Sequence, residues 1–211
     1  LQGGLASAAS GGDVTISSGI GRSSSSGRIY ITTSNAGVEG TSGRLDLRTG
    51  AASRGASGPV TVTSGNAISG SGGDIQIVVG LGDSGAGGAV ALNAGDSSAP
   101  AAEGGAVVLQ TGHGHAASGS MSIATVDSGT DGASGEIALT TGDAAVGAAG
   151  RVQLSTGFSQ RAAAGDLDLR VGDSSSGNGA MVNVVAGRAS GDGAAGGRVH
   201  ISAGLGDSVN G

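Results

Sequence analysis

Residues 150–157 read Gly-Arg-Val-Gln-Leu-Ser-Thr-Gly, and residues 12–19 read Gly-Asp-Val-Thr-Ile-Ser-Ser-Gly. Both follow one pattern, Gly-x-φ-x-φ-x-x-Gly, where φ is aliphatic. The pattern recurs along the whole chain. It opens at Gly12, Gly27, Gly43, Gly58, Gly73, Gly88, Gly105, Gly119, Gly135, Gly150, Gly165, Ala180 and Gly197. The spacings are 15, 16, 15, 15, 15, 17, 14, 16, 15, 15, 15 and 17 residues. A fixed period of this length marks a repeat architecture, in which one unit cannot bury its apolar face alone.

The first φ column is Val14, Ile29, Leu45, Val60, Ile75, Val90, Val107, Met121, Ile137, Val152, Leu167, Val182 and Val199. The second is Ile16, Ile31, Leu47, Val62, Ile77, Leu92, Leu109, Ile123, Leu139, Leu154, Leu169, Val184 and Ile201. All 26 positions are apolar. Alternation with period two in mostly β-branched residues predicts a strand with one face toward a core. A closing glycine follows three residues after the second φ, as in Gly19, Gly50, Gly65, Gly80, Gly95 and Gly112; Ser34 and Val126 replace it in two units. Glycine there suits a positive φ or a close backbone approach. A second motif, Gly-x-x-Gly, precedes many strands: Gly40–Gly43, Gly55–Gly58, Gly70–Gly73, Gly85–Gly88, Gly132–Gly135 and Gly147–Gly150. Unit length varies between the closing glycine and this motif, for instance over Asp96 to Glu103. That segment is the expected solvent loop.

These features predict an all-β fold: a parallel β-solenoid of thirteen coils, one continuous array over residues 1–211. Fifteen residues at about 3.3 Å each give a flattened coil about 50 Å around, and coils rising about 4.8 Å make a rod of about 60 Å. An antiparallel meander is the competing arrangement; it predicts a 30-residue alternation that the units do not show. Stacking brings Glu136, Arg151 and Asp166 into one column of alternating charge, and Asp13 beside Arg28 in another. Opposite charges there favour pairing by about 0.2–1 kcal/mol. Leu1 falls in the second φ column of a preceding unit, three residues before Gly4, and Gly211 falls where a fourteenth unit opens. Solenoid ends normally carry caps, and neither end has one; the chain reads as part of a longer array or one protomer of a filament.

Composition narrows the function. The 211 residues include 47 Gly, one Tyr, one Phe, no Trp and no Cys. Gly usage averages about 7%, so this chain is strongly enriched. Gly/Ser-rich chains are often disordered because they bury too little apolar surface to offset ordering entropy. A disordered linker has no reason to hold the register of the two aliphatic columns, and disorder is the disfavoured alternative. Two prolines and no Gly at every third position exclude a collagen helix. Ten arginines, no lysine and sixteen acids give a net charge of −6. Nucleic acid is not an expected partner, because phosphate binding needs clustered cations. Lacking cysteine, the chain has neither disulfides nor thiolate metal sites. No apolar run approaches a membrane span, and no signal-peptide pattern is present.

The candidates for chemistry are few. His113 and His115 form a His-Gly-His pair with no third ligand nearby, and they read as solvated loop residues, as does His200 on an outward strand face. Asp46 with Arg48, and Asp166 and Asp168 with Arg170, place acids and guanidinium groups on outward faces. Asp166 and Asp168 stand about 6.6 Å apart along a strand, a pair that could serve glycoside hydrolysis, but no aromatic platform for sugar lies near. Asp83, Asp96, Asp143 and Asp173 each follow a glycine and resemble calcium-binding repeats in part; the period differs, and Asp in turns usually bonds its own backbone. Ice binding requires a regular outward Thr-x-Thr face, and Thr61/Thr63 alone provides one. The sequence therefore predicts no catalytic residue, no metal and no cofactor. No Asn-x-Ser/Thr sequon occurs; Ser23 to Ser26 and Ser174 to Ser176 leave O-linked glycan open.

On the units at Gly12 to Gly19 and Gly150 to Gly157, the chain resembles short-period Gly/Ser-rich β-solenoid repeat proteins of extracellular fibres and surface adhesins. Filamentous-haemagglutinin-type adhesins look similar, with longer repeats; Gly/Ser-rich repeat proteins of microbial and algal surfaces are nearer in composition. The resemblance implies a rigid, non-catalytic, extracellular or cell-surface element. Its expected partners are further copies of itself, end-to-end or lateral, and a surface polysaccharide. An adhesin or ice- or carbohydrate-binding face is the alternative.

Overall fold

A computed structural model describes residues 1–7 and 9–205. The chain divides into two units, Leu1–Val107 and Val108–Gly211. Among the described residues neither unit contains a helix or a strand. The expected β-solenoid is therefore corrected: the chain is coil, with isolated bends and turns. Gly211, the expected start of a fourteenth unit, lies outside the described residues.

Exposure shows what is missing. No described residue is buried. The accessible surface is 21187 Å². A compact protein of this mass exposes about 8,500 Å² and a fully unfolded one about 28,000 Å². Among the described residues the backbone makes seven hydrogen bonds to itself, where a folded domain makes on the order of one per residue. Without ladders or a core, the aliphatic columns remain in solvent.

The repeat nevertheless controls the backbone. Each stretch between a closing position and the next opening position bends once, and no φ-x-φ segment does. In the first unit the described bends and turns lie at 7 and 9, 22–24, 38–39, 53–55, 68–70, 83–85 and 99–101; in the second they lie at 115–116, 130–132, 145–147, 160–162, 175–177 and 191–193. Left-handed backbone is confined to these loops. Gly55 (φ 139°), Gly85 (φ 85°) and Gly147 (φ 103°) each open a Gly-x-x-Gly motif, which explains those three by the absence of a Cβ; Gly40, Gly70 and Gly132 open theirs without a positive φ. Ser69 (φ 60°) takes the same turn one residue ahead of Gly70.

Serine hydroxyls hold several of the loops. Gly177 N–H donates to Ser174 Oγ at 3.0 Å, Ala162 N–H to Ser159 Oγ at 3.2 Å, and Ser128 Oγ–H to the Gly132 carbonyl at 2.8 Å. Serine favours turns through such local bonds. The aspartates expected to do this make no such bond among the described residues.

Five of the loops are pinched at their bases. Gly12 N–H donates to the Gly4 carbonyl at 2.9 Å, Gly27 to Gly19 at 2.9 Å, Gly105 to Gly95 at 2.8 Å, Gly119 to Gly112 at 3.0 Å and Gly197 to Gly187 at 2.8 Å. Every one joins an opening glycine to the closing glycine before it. Gly4 takes the closing role that its spacing from Leu1 implies. The pinch also gives a physical reason for the missing sheet. In these five units the opening N–H, which would start a ladder to a neighbouring coil, instead bonds the closing glycine before it. Two aliphatic side chains per fifteen residues are too few to order so glycine-rich a backbone against its conformational entropy.

Candidate functional site

The feature that recurs with the repeat, and that nothing in the chain covers, is the pair of aliphatic columns. In each segment the backbone runs without a bend or turn, between two glycines in all units but those opened by Ala180 or closed by Ser34 or Val126. Its alternate residues point to opposite sides, so the two φ residues share one side and the flanking x residues share the other. Contacts among x residues follow this arrangement. Arg28 donates to the Tyr30 hydroxyl at 3.2 Å, Arg44 pairs with Asp46, Arg151 donates to Gln153 Oε1, and Arg170 pairs with Asp168 at 3.6 Å. Each contact spans two positions within one segment. The φ side is left purely aliphatic.

Every residue on this side is about half exposed or more. First-column residues range from 49% exposed at Ile29 to 61% at Val60, and second-column residues from 58% at Ile16 to 90% at Ile201. The first column is the more covered of the two in every unit. Aliphatics in the loops stand fully free, as at Val38, Ile68 and Leu81. The surface is thus a regular series of half-exposed aliphatic pairs with polar loops between them. Sequence reading found these residues and placed them in a core; the structure places them at the surface.

The glycines around the columns divide into two kinds. A Cβ on Gly12 would lie 2.9 Å from Gly4 N, one on Gly105 3.1 Å from Gly95 N, and one on Gly88 2.7 Å from Val79 Cγ1. Close approach thus favours glycine at several opening positions, though Gly58 and Gly73 meet only ordinary contacts at 3.9 Å, Gly165 meets nothing, and Ala180 opens one unit with a Cβ. The closing glycines behave differently: Gly19, Gly50, Gly65, Gly80, Gly95 and Gly112 have no atom within 4 Å of a Cβ position and no positive φ. The close approach inferred for the closing position belongs to the opening one.

The expected charge columns do not assemble. Among the described residues the two ion pairs, Arg44–Asp46 and Arg170–Asp168, lie within segments rather than between them. Exposed pairs of this kind contribute about 0–1 kcal/mol. Asp166 has no ion-pair partner among the described residues, and the outward acids converge on no cleft; no pocket forms there. His113 and His115 are exposed beside the bend at 115–116, and His200 is exposed on its segment. Among the described residues no three His, Cys, Asp or Glu side chains gather closely enough to hold a metal ion. No helix there is long and apolar enough to cross a membrane.

Compared with family models, with curated proteins and with solved structures, the chain matches none.

Proposed function

We propose that this chain is a non-catalytic structural element of an extracellular matrix or cell surface, and that it works by associating laterally with further copies of itself. One observation carries the reading: every residue of both described aliphatic columns is about half exposed or more, in a pattern locked to the repeat. Burying apolar area is the dominant driving force in association. A periodic series of small aliphatic pairs fits a partner with the same period, and another copy has that period by construction. Association here buries side chains between chains; it does not rest on coils stacking within one chain. Serine-rich polar loops alternate with the apolar pairs and keep the associated material hydrated.

Sedimentation velocity over a wide concentration range tests this reading. The expected result is concentration-dependent growth of large species, with bundles visible by electron microscopy. A chain that stays monomeric at the highest accessible concentration overturns it.

A further inference from the structure

The charges are unevenly distributed along the chain. Residues 1–54 carry five arginines against three acids, a net charge of +2. Residues 55–150 carry no arginine and eight acids, Asp74, Asp83, Asp96, Glu103, Asp127, Asp131, Glu136 and Asp143, a net charge of −8. Residues 151–211 carry five arginines and five acids and are neutral. All described charged side chains are exposed. Arg22 and Arg54 lie in bends, and Asp83, Asp131 and the 99–101 turn near Asp96 and Glu103 put acids in the same kind of loop. Both signs therefore stand at the polar loops flanking the aliphatic pairs, where a neighbouring chain must pass.

We infer that copies associate out of register, with the arginine-bearing residues 1–54 of one chain lying along the arginine-free, acidic residues 55–150 of another. The inference rests on the lateral association proposed above and names its register. Aligned in register, two copies set the −8 tract beside itself, and like charges in close contact disfavour pairing. A shift by four repeat units, as from Gly27 to Gly88, keeps the aliphatic pairs opposed while bringing the +2 of residues 1–54 against a stretch of net −4 that holds Asp74, Asp83, Asp96 and Glu103. Unit lengths vary by one or two residues, and the loops absorb the difference. The shift also leaves the acidic tract of the overlapping copy only partly covered, so further copies add in the same sense. Association of this kind grows rather than closing at a dimer.

The chain has no cysteine, so single introduced thiols report register directly. Ser23→Cys and Ser84→Cys each lie four residues before an opening glycine, Gly27 and Gly88. A third variant, Ser128→Cys, extends the scan. Full-length Ser23→Cys is mixed with Ser84→Cys or Ser128→Cys under associating conditions and oxidised, and the disulfide-linked species are counted by mass spectrometry. The expected result is an excess of mixed disulfides between position 23 and a central position over random pairing at low salt. At about 1 M salt, where the screening length falls to about 3 Å, that excess disappears. Dominant Ser23→Cys homodimers, or a mixed excess indifferent to salt, overturn the staggered register while leaving lateral association intact. Cross-linking that requires an added anionic polysaccharide assigns residues 1–54 to that partner and also overturns the register. A monomer by sedimentation under the same conditions overturns the register and the proposed function together.

Discussion

Replacing Val60 and Val62 together by serine removes one aliphatic pair and leaves both flanking glycines in place. The two side chains are 61% and 69% exposed. A valine fully buried is worth about 1.5 kcal/mol, so the exposed part of each has about 1 kcal/mol still to gain in an assembly. Losing both costs about 2 kcal/mol per chain added. At 1.4 kcal/mol per decade, the concentration at which association begins rises about thirtyfold. Ile68→Ser is the matched control. Ile68 is larger and 97% exposed, so a purely compositional hydrophobic effect makes it at least as damaging as either valine. It lies in a loop bend, off the columns, and the expected change is under about threefold, within the few tenths of a kcal/mol usual for a surface substitution. Light scattering across a dilution series gives both thresholds. Equal shifts for the valine pair and for Ile68 refute the columns as the associating surface.

Other consequences follow from the same geometry. Association driven by apolar burial strengthens on warming from the cold, because the driving force is largely entropic near room temperature; turbidity should rise between about 5 and 35 °C, and clearing on warming contradicts this. Gly105→Ala sets a methyl 3.1 Å from Gly95 N, so the two residues must part by a few tenths of an ångström and the 2.8 Å bond from Gly105 N–H to the Gly95 carbonyl should weaken, whereas Gly95→Ala meets open space and should preserve it. The temperature dependence of the Gly105 amide proton shift in dilute solution distinguishes the two, and identical behaviour in both variants contradicts the pinch. In dilute solution the far-ultraviolet circular dichroism should lack a β-sheet signature; a sheet spectrum independent of concentration contradicts a coil monomer.

The repeat was legible in the sequence, and its frame reappears in the structure as one bend per loop and a glycine pinch at loop bases. Gly55, Gly85 and Gly147 do what a residue without a Cβ is needed for. The partner of the columns was not legible. Period two at Val60 and Val62 shows that both face one way; it does not say whether the neighbour is another coil of the same chain or another chain. Sequence reasoning supplied the first, and the structure supplies neither a neighbouring coil nor a core. The reason is local. Each unit brings two modest aliphatics and no aromatic close to them, apart from Tyr30 on the opposite side of its segment. Its first N–H bonds the preceding closing glycine in five of the units. The closing glycines show the same gap between pattern and cause: their regular spacing reads as a steric need, and within one chain Gly65 and Gly80 meet nothing.

Amide hydrogen exchange, measured on the same protein below and above its association threshold, tests the central claim most directly. The account predicts fast exchange along the whole chain when dilute. Above the threshold it predicts protection centred on the φ-x-φ segments, such as 60–62 and 75–77, with the loop bends at 68–70 and 83–85 still exchanging freely. Strong protection of the φ-x-φ segments already present in the dilute monomer would mean that the chain pairs with itself, and would contradict the account.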